Sequence, residues 1–223
     1  MKKLFFTAMM LVAGSSLFAQ TKFGLKAGVN FANMTQKDDG SNVSTSASSR
    51  LTYNLTGYLE IPLSESIFFQ PGLSLMGKGY KAEASEELFD ITVKGEEKTD
   101  LMYLEVPLNA VKKFDVGTGK FFVGAGPYIA YGLSGKYKIS MTGPDEDGKT
   151  ITESDEGDIN FGTGDDDDVK PLDMGLNFLA GYQLGNGISL NGSYGLGLTN
   201  LAQKDSGSTL KNKVFSISLG FLF

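Results

Sequence analysis

The sequence predicts an all-β fold, an eight-stranded antiparallel up-and-down transmembrane β-barrel, and three observations carry that prediction. The chain ends in Val214 to Phe223, VFSISLGFLF, where Phe215, Ile217, Leu219, Phe221 and Phe223 share one face of a strand and Ser216, Ser218 and Gly220 the other. It begins with a basic Met1-Lys2-Lys3, an apolar Leu4 to Ala13 too short to span a bilayer, and a cleavage region from Gly14 to Ala19. Between the two ends lie eight segments of period-two alternation.

The N-terminal pattern is that of an export signal, so residues 1–19 are expected to be removed and residues 20–223 to form one barrel domain. With no cysteine, the signal is not of the lipoprotein type and no disulfide staples the product. The formal charge of −6 becomes −8 once Lys2 and Lys3 leave, which argues against nucleic acid as a partner. No later window holds the run of about 20 apolar residues that a membrane helix needs. Membrane strands escape that test, because half of their residues face inward and dilute the hydropathy.

The segments follow in order. The first sets Phe23, Leu25, Ala27, Val29 and Phe31 against Lys22, Gly24, Lys26, Gly28 and Asn30, and the second sets Leu51, Tyr53, Leu55, Leu59 and Ile61 against Arg50, Thr52, Asn54, Thr56 and Glu60. The third opposes Phe69, Leu73 and Leu75 to Gln70, Gly72, Ser74 and Lys78; the fourth opposes Met102, Leu104, Val106, Leu108 and Ala110 to Tyr103, Glu105 and Asn109. In the fifth, Phe121, Val123, Ala125, Ile129 and Tyr131 alternate with Gly124, Gly126, Ala130 and Gly132. The sixth runs Leu172 to Gln183 with Asp173, Gly175 and Asn177 on its polar face, and the seventh runs Ile188 to Thr199 with Ser189, Asn191, Ser193 and Gly195 on its polar face. The C-terminal strand is the eighth. Connections near Pro62 to Ser66, Asp115 to Gly119 and Gly185 to Gly187 are short and rich in turn formers, whereas those starting near Asn33, Ala82, Ser134 and Ala202 are long and polar. Short turns at one end and long loops at the other match a bacterial transmembrane barrel.

Alternation does not say which face is inside, and a soluble barrel would turn its apolar face inward. The polar faces decide it. That of the seventh segment is Ser, Asn, Ser, Gly and Thr without a charge, a poor exterior in water but suited to a crowded lumen. Seven charged residues then face inward: Lys22, Lys26, Arg50, Glu60, Lys78, Glu105 and Asp173. They line a gated pore, or they pair inside a filled barrel because a lone buried charge is very costly. The narrow interior of about eight strands favours the second.

The loop between the fifth and sixth segments carries Asp145, Glu146, Asp147, Glu153, Asp155, Glu156, Asp158 and the run Asp165, Asp166, Asp167, Asp168. Clustered carboxylates can hold calcium, yet the spacing lacks the EF-hand pattern, and such a charge block is more often a solvated, self-repelling loop. Tyr137, Ile139 and Met141, and likewise Phe89, Ile91 and Val93, alternate beyond the membrane segments, which suggests strands continuing as a raised sheet with an edge for a partner strand. The chain has no histidine and no cysteine, which excludes Ser-His and Cys-His nucleophile systems and histidine metal sites, so no enzyme and no cofactor is expected.

Several segments resemble the PorT-like outer-membrane β-barrel family of the OmpA/OmpX-like group. The residues are Gln70-Pro71-Gly72-Leu73 with Lys78-Gly79, Tyr103-Leu104-Glu105-Val106-Pro107-Leu108, Gly124-Ala125-Gly126-Pro127-Tyr128, Asp173-Met174-Gly175, and Tyr194-Gly195-Leu196 with Leu198-Thr199-Asn200-Leu201. The resemblance implies a monomeric barrel in the outer membrane of a Gram-negative bacterium, and some relatives are linked to protein secretion. The expected partners are outer-membrane lipid, the barrel-assembly machinery through Phe215, Phe221 and Phe223, and an extracellular protein at the loops. The expected function is surface interaction or envelope integrity around a filled lumen; the alternatives are a narrow passive channel and an accessory role in secretion.

Overall fold

The computed structural model describes residues 21–38, 44–46, 48–88, 91–144, 149–164, 167–203 and 207–223. The expected export signal, Phe89, Asp145, Glu146, Asp147, Asp165 and Asp166 lie outside these residues. The strands are β1 (Lys22–Asp38), β2 (Ser44–Ser46), β3 (Arg50–Pro62), β4 (Ile67–Leu88), β5 (Ile91–Val116), β6 (Gly119–Pro144), β7 (Thr150–Ile159), β8 (Leu172–Leu184), β9 (Ile188–Gly197) and β10 (Ser208–Leu222). Eight of them, all but β2 and β7, form an antiparallel ring that closes where β10 returns to β1, from Gly24 opposite Leu222 to Asp38 opposite Ser208. Closure pairs every strand on both sides, which lipid demands because it offers no hydrogen bonds to a free edge.

The apolar face is the outer one. Leu55 and Leu219 are 50% and 65% exposed, whereas Asn30, Asn54, Thr56, Ser216 and Ser218 are buried inside the ring. Eight steps from Phe23 to Phe31, at about 3.3 Å each and tilted by about 40°, give a belt of roughly 20 Å, near the height of a transmembrane band. Phe23, Phe121 and Phe223 mark its turn end, and Phe31, Tyr53, Tyr131 and Phe215 its loop end, as two aromatic girdles. Inside, small residues make room for large ones. A Cβ on Gly24 would lie 2.2 Å from the Tyr58 ring, so Tyr58 fills the lumen there only because residue 24 has no side chain.

Pro71, Pro107 and Pro127 fall at neighbouring rungs of β4, β5 and β6. The β4–β5 ladder reaches Pro71 opposite Leu108 and resumes at Ser74 opposite Glu105, while β5–β6 reaches Pro107 opposite Tyr128 and resumes at Ala110 opposite Ala125. β3–β4 likewise passes from Tyr58 opposite Gly72 to Ile61 opposite Phe69. Proline lacks the N–H that a rung needs, so the ladders skip rungs where the motifs of three adjacent strands lie side by side.

Above the belt two of the connections expected as long loops are largely strand, and the raised sheet that the alternation of Tyr137, Ile139 and Met141 and of Ile91 and Val93 suggests is present. The connection expected to begin near Ala82 is nearly all strand, with β4 running to Leu88 and β5 starting at Ile91, and β6 runs on to Pro144, where β7 pairs its outer half. The result is a raised sheet in the order β4, β5, β6, β7. In β6 the register slips by one residue near Leu133, since Met102 faces Ser134 but Tyr103 faces Gly132. A one-residue bulge exchanges the two faces. Tyr137, Ile139 and Met141 therefore share the lumen-side face with Leu101, although their odd numbers continue the lipid-facing series that ends at Tyr131 and Leu133.

Candidate functional site

The lumen is filled in layers. At the turn end, Lys113 on β5 meets Glu60 on β3 at 2.6 Å and donates to Gln183 at 2.7 Å, while Gln70 donates to Glu60 at 2.8 Å. Above it, Val111, Phe122 and Leu179 form an apolar layer. Next comes a polar belt in which Ser216 and Asn54 both donate to the side-chain Oδ1 of Asn30 and Ser218 donates to the Oδ1 of Asn54. Higher still, the Lys78 ammonium lies 3.0 Å from both Glu105 and Asp173, with all three side chains almost fully enclosed. The Tyr103 and Tyr128 rings flank that ammonium at 5.0 and 4.4 Å from their centroids. Asn212 and Tyr128 complete the shell by donating to the same Asp173 oxygen.

An apolar lid closes the loop end. Met34, Leu101, Ala130, Val169 and Leu201 are buried with Tyr103 and Tyr128, and Phe161 packs edge-on against Tyr103 at 5.5 Å. Phe161 reaches inward over Gly132, where a Cβ would come within 2.4 Å of its ring. Two cavities between these layers measure about 30 and 20 Å³, room for a water or two.

The structure sorts the seven charges expected in the lumen. Lys78, Glu105 and Asp173 form one cluster, Glu60 belongs to the turn-end pair, and Lys26 lies 5.8 Å from the Tyr58 ring and lines a small cavity with Glu105. Two are corrected. Lys22 is exposed at the turn-end rim, and Arg50 is half-exposed at the loop end, bidentate to Asp100 at 2.6 and 2.7 Å. Alternation gives the face of a residue and not its depth, and both stand at strand ends. Lys113 was missed, although steps of two from Glu105 through Asn109 reach it; the fourth segment was ended too soon, at Ala110.

Of the acidic run, Asp167 accepts from the Gly164 N–H at 2.7 Å and Asp168 from the Asn160 N–H at 2.8 Å. These carboxylates fasten the loop to itself, and among the described residues no three carboxylates converge as a metal site would require. Phe223 stacks on Phe23 at 5.8 Å and meets Phe221 edge-on at 4.8 Å, and its N–H donates to the Phe23 carbonyl, so the terminal residue closes the seam at the turn end. Phe215 meets Phe31 at 6.2 Å at the other end of that seam.

On the raised sheet, acids and lysines alternate by row. Lys81 reaches Glu96 at 2.5 Å and Glu83 at 2.6 Å, and Lys98 also pairs with Glu96. Hydrogen bonds from Lys81 and then Lys98 hold the Glu96 carboxyl down at about 2. β7 carries Glu153, Asp155, Glu156 and Asp158 without a basic residue of its own, and among the described residues its second edge meets no strand.

Comparison with a known family agrees with this architecture. The profile of the outer membrane protein beta-barrel domain family matches residues 18–203. Among solved structures, the attachment invasion locus protein Ail of Yersinia pestis is 13% identical, covering 91% of this chain and 98% of its own, with a TM-score of 0.35. Neisserial surface protein A is 12% identical, with 90% and 97% covered and a TM-score of 0.42, and the N-terminal barrel of Pseudomonas aeruginosa OprF is 12% identical, with 92% and 100% covered and a TM-score of 0.27. No curated protein matches.

Proposed function

As the chain belongs to the outer membrane protein β-barrel domain family, we propose that it is a filled, non-enzymatic anchor that holds the β4–β7 sheet above the cell surface for contact with an extracellular protein. One observation carries this reading: the strands that are packed shut inside the outer membrane continue beyond it as an ordered sheet whose outer edge, on β7, meets no further strand among the described residues. A conduit needs an open lumen and has no use for such a sheet. The β7 edge offers unpaired backbone groups to an extended partner segment, and its acids favour a basic one. The barrel acts as a monomer, bathed in outer-membrane lipid and inserted by the assembly machinery through Phe215, Phe221 and Phe223. Within the family we assign it to the PorT-like branch on the Pro71, Pro107 and Pro127 motifs.

Planar-bilayer recording tests the anchor half of the proposal. The expected record is silent at neutral pH, and steady open channels would replace the reading with that of a narrow passive channel. Capture of surface proteins by the full chain, compared with a variant lacking residues 150–159, tests the other half. Equal capture by both would remove β7 from the interaction.

A further inference from the structure

The two faces of the raised sheet are sorted by chemistry. Opposite residues of paired strands share a face, so Lys81, Lys94, Lys98, Lys136 and Lys138, every lysine of β4 to β7 beyond the belt, stand together on the outward face. The acids that pair with them stand there too. The lumen-side face carries acids without a base of its own: Glu97 on β5, Ile139 on β6 and Asp155 on β7 lie side by side, and one row farther out come Gly95, Met141 and Glu153. Tyr80 and Ile159, at the foot of this face, pack against the apolar lid. Above them the apolar side chains stay open to water, with Ile139, Met141 and Ile151 38%, 63% and 41% exposed. The bulge near Leu133 creates this stripe, since without the slip Tyr137, Ile139 and Met141 would point outward among the lysines.

An antiparallel sheet with one wet polar face packs its other face against a second layer, and here that layer has to come from outside the sheet. Three constraints select it. The outer halves of β5 and β6 are hydrogen-bonded on both sides, so the face offers side chains and no backbone groups, and whatever lies on it must satisfy its own backbone. A helix does that, whereas an extended segment does not. Four strands about 4.8 Å apart and a height of about six residues give a surface of roughly 14 by 20 Å, the footprint of one helix about 13 residues long. Finally, the stripe along β6 has Glu97 on one side and Asp155 and Glu153 on the other, which calls for bases flanking an apolar seam.

We infer that the lumen-side face of the raised sheet binds a basic amphipathic helix of an extracellular polypeptide. The apolar stripe of the helix covers Ile139, Met141 and Ile151, and its lysines or arginines reach sideways to Glu97 and to Asp155 and Glu153. Binding of this kind presupposes the surface-contact reading of the raised sheet, and it adds to the β7 edge a face whose partner has a defined shape and charge.

The test uses the full chain folded in phosphatidylcholine nanodiscs, with empty nanodiscs as the blank and folding checked by heat-modifiable mobility. The probe is a fluorescein-labelled peptide of leucine, alanine and lysine, about 16 residues long, whose helix carries one leucine stripe flanked by lysines; a second peptide has the same composition with the stripe scrambled. Anisotropy titration is expected to show salt-sensitive binding of the striped peptide and binding of the scrambled one about tenfold weaker. Met141→Lys, which sets a base in the stripe, and the variant carrying E97Q, E153Q and D155N are each expected to weaken binding of the striped peptide about tenfold. Glu156→Gln, on the opposite face of β7, leaves it unchanged. Equal affinity of the wild type and folded Met141→Lys, equal loss in Glu156→Gln, or equal binding of the two peptides would each overturn the proposal. The two readings fail separately. Loss of surface-protein capture on removing residues 150–159, with peptide binding unchanged in Met141→Lys, sinks only the helix site. Equal capture with and without those residues, with peptide binding lost in Met141→Lys, sinks only the β7 edge.

Discussion

Below and above the outer membrane surface, β4, β5 and β6 are the same strands under opposite rules. In the lumen, Lys78, Glu105 and Asp173 pair out of reach of bulk water, and each is held by a defined shell of tyrosine, asparagine or carboxylate. On the raised sheet, Lys81, Lys98 and Glu96 form pairs that are shorter still, on partly exposed side chains that solvent reaches. Enclosure, rather than distance, sets what a pair is worth. A buried charge without its partner has no water to turn to, while an exposed one has.

Substitution of one lysine in each region probes that contrast most strongly. Lys78→Met leaves two enclosed carboxylates uncompensated and is expected to cost about 3–5 kcal/mol in denaturant unfolding followed by heat-modifiable mobility. Lys98→Met is expected to cost under about 1 kcal/mol in the same assay. Similar costs for the two would break the comparison. The lid comes next: Gly132→Val evicts the Phe161 ring, and such overpacking costs about 1–3 kcal/mol. Its signature is faster hydrogen exchange in residues 160–171 with exchange in the outer half of β5 unchanged.

Acid sharpens the contrast with a smaller effect. The depressed Glu96 carboxyl contributes stability that is fully present above the ordinary value of 4.5 and is lost as pH falls through about 2. Exchange corrected for intrinsic rates is therefore expected to quicken at pH 2.5 relative to pH 6 where Lys81 and Lys98 pair, on the outer halves of β4 and β5. The smallest effect belongs to β7, where Asp155→Asn is expected to change stability by no more than about 0.5 kcal/mol, because that side chain is exposed. A larger loss would mean that β7 is stabilised by more than its backbone pairing to β6.

The alternation made the ring legible because lipid on one side and a crowded lumen on the other force a strict two-residue period. The stripe from Phe215 to Phe223, expected as the eighth and last strand, closes the ring against Phe23 to Phe31. Above the membrane both faces are wet, so that period fades while the hydrogen-bond ladder continues, and Ala82 to Leu88 read as loop although it is strand. Of the lumen residues, Glu105 and Asp173 were legible as inward charges. Arg50 and Lys22 were misplaced in depth for the reason that Lys113 was missed: a strand's pattern does not say where the membrane begins or where the strand ends.

The sequence by itself determined the fold class, the number of ring strands, the face each side chain takes inside the membrane and the seam at Phe223, because the solvent on each side of a membrane strand is written into alternate residues. Only the tertiary structure decided which charges meet. Lys78, Glu105 and Asp173 lie far apart in the chain and are brought together by strand register and tilt. The bulge near Leu133 turns Tyr137, Ile139 and Met141 toward the lumen side, and Lys81, Lys98 and Lys138 come abreast only through the pairing of three strands. Register is a property of the ladder as a whole, fixed by how neighbouring strands pair, and no single segment carries it.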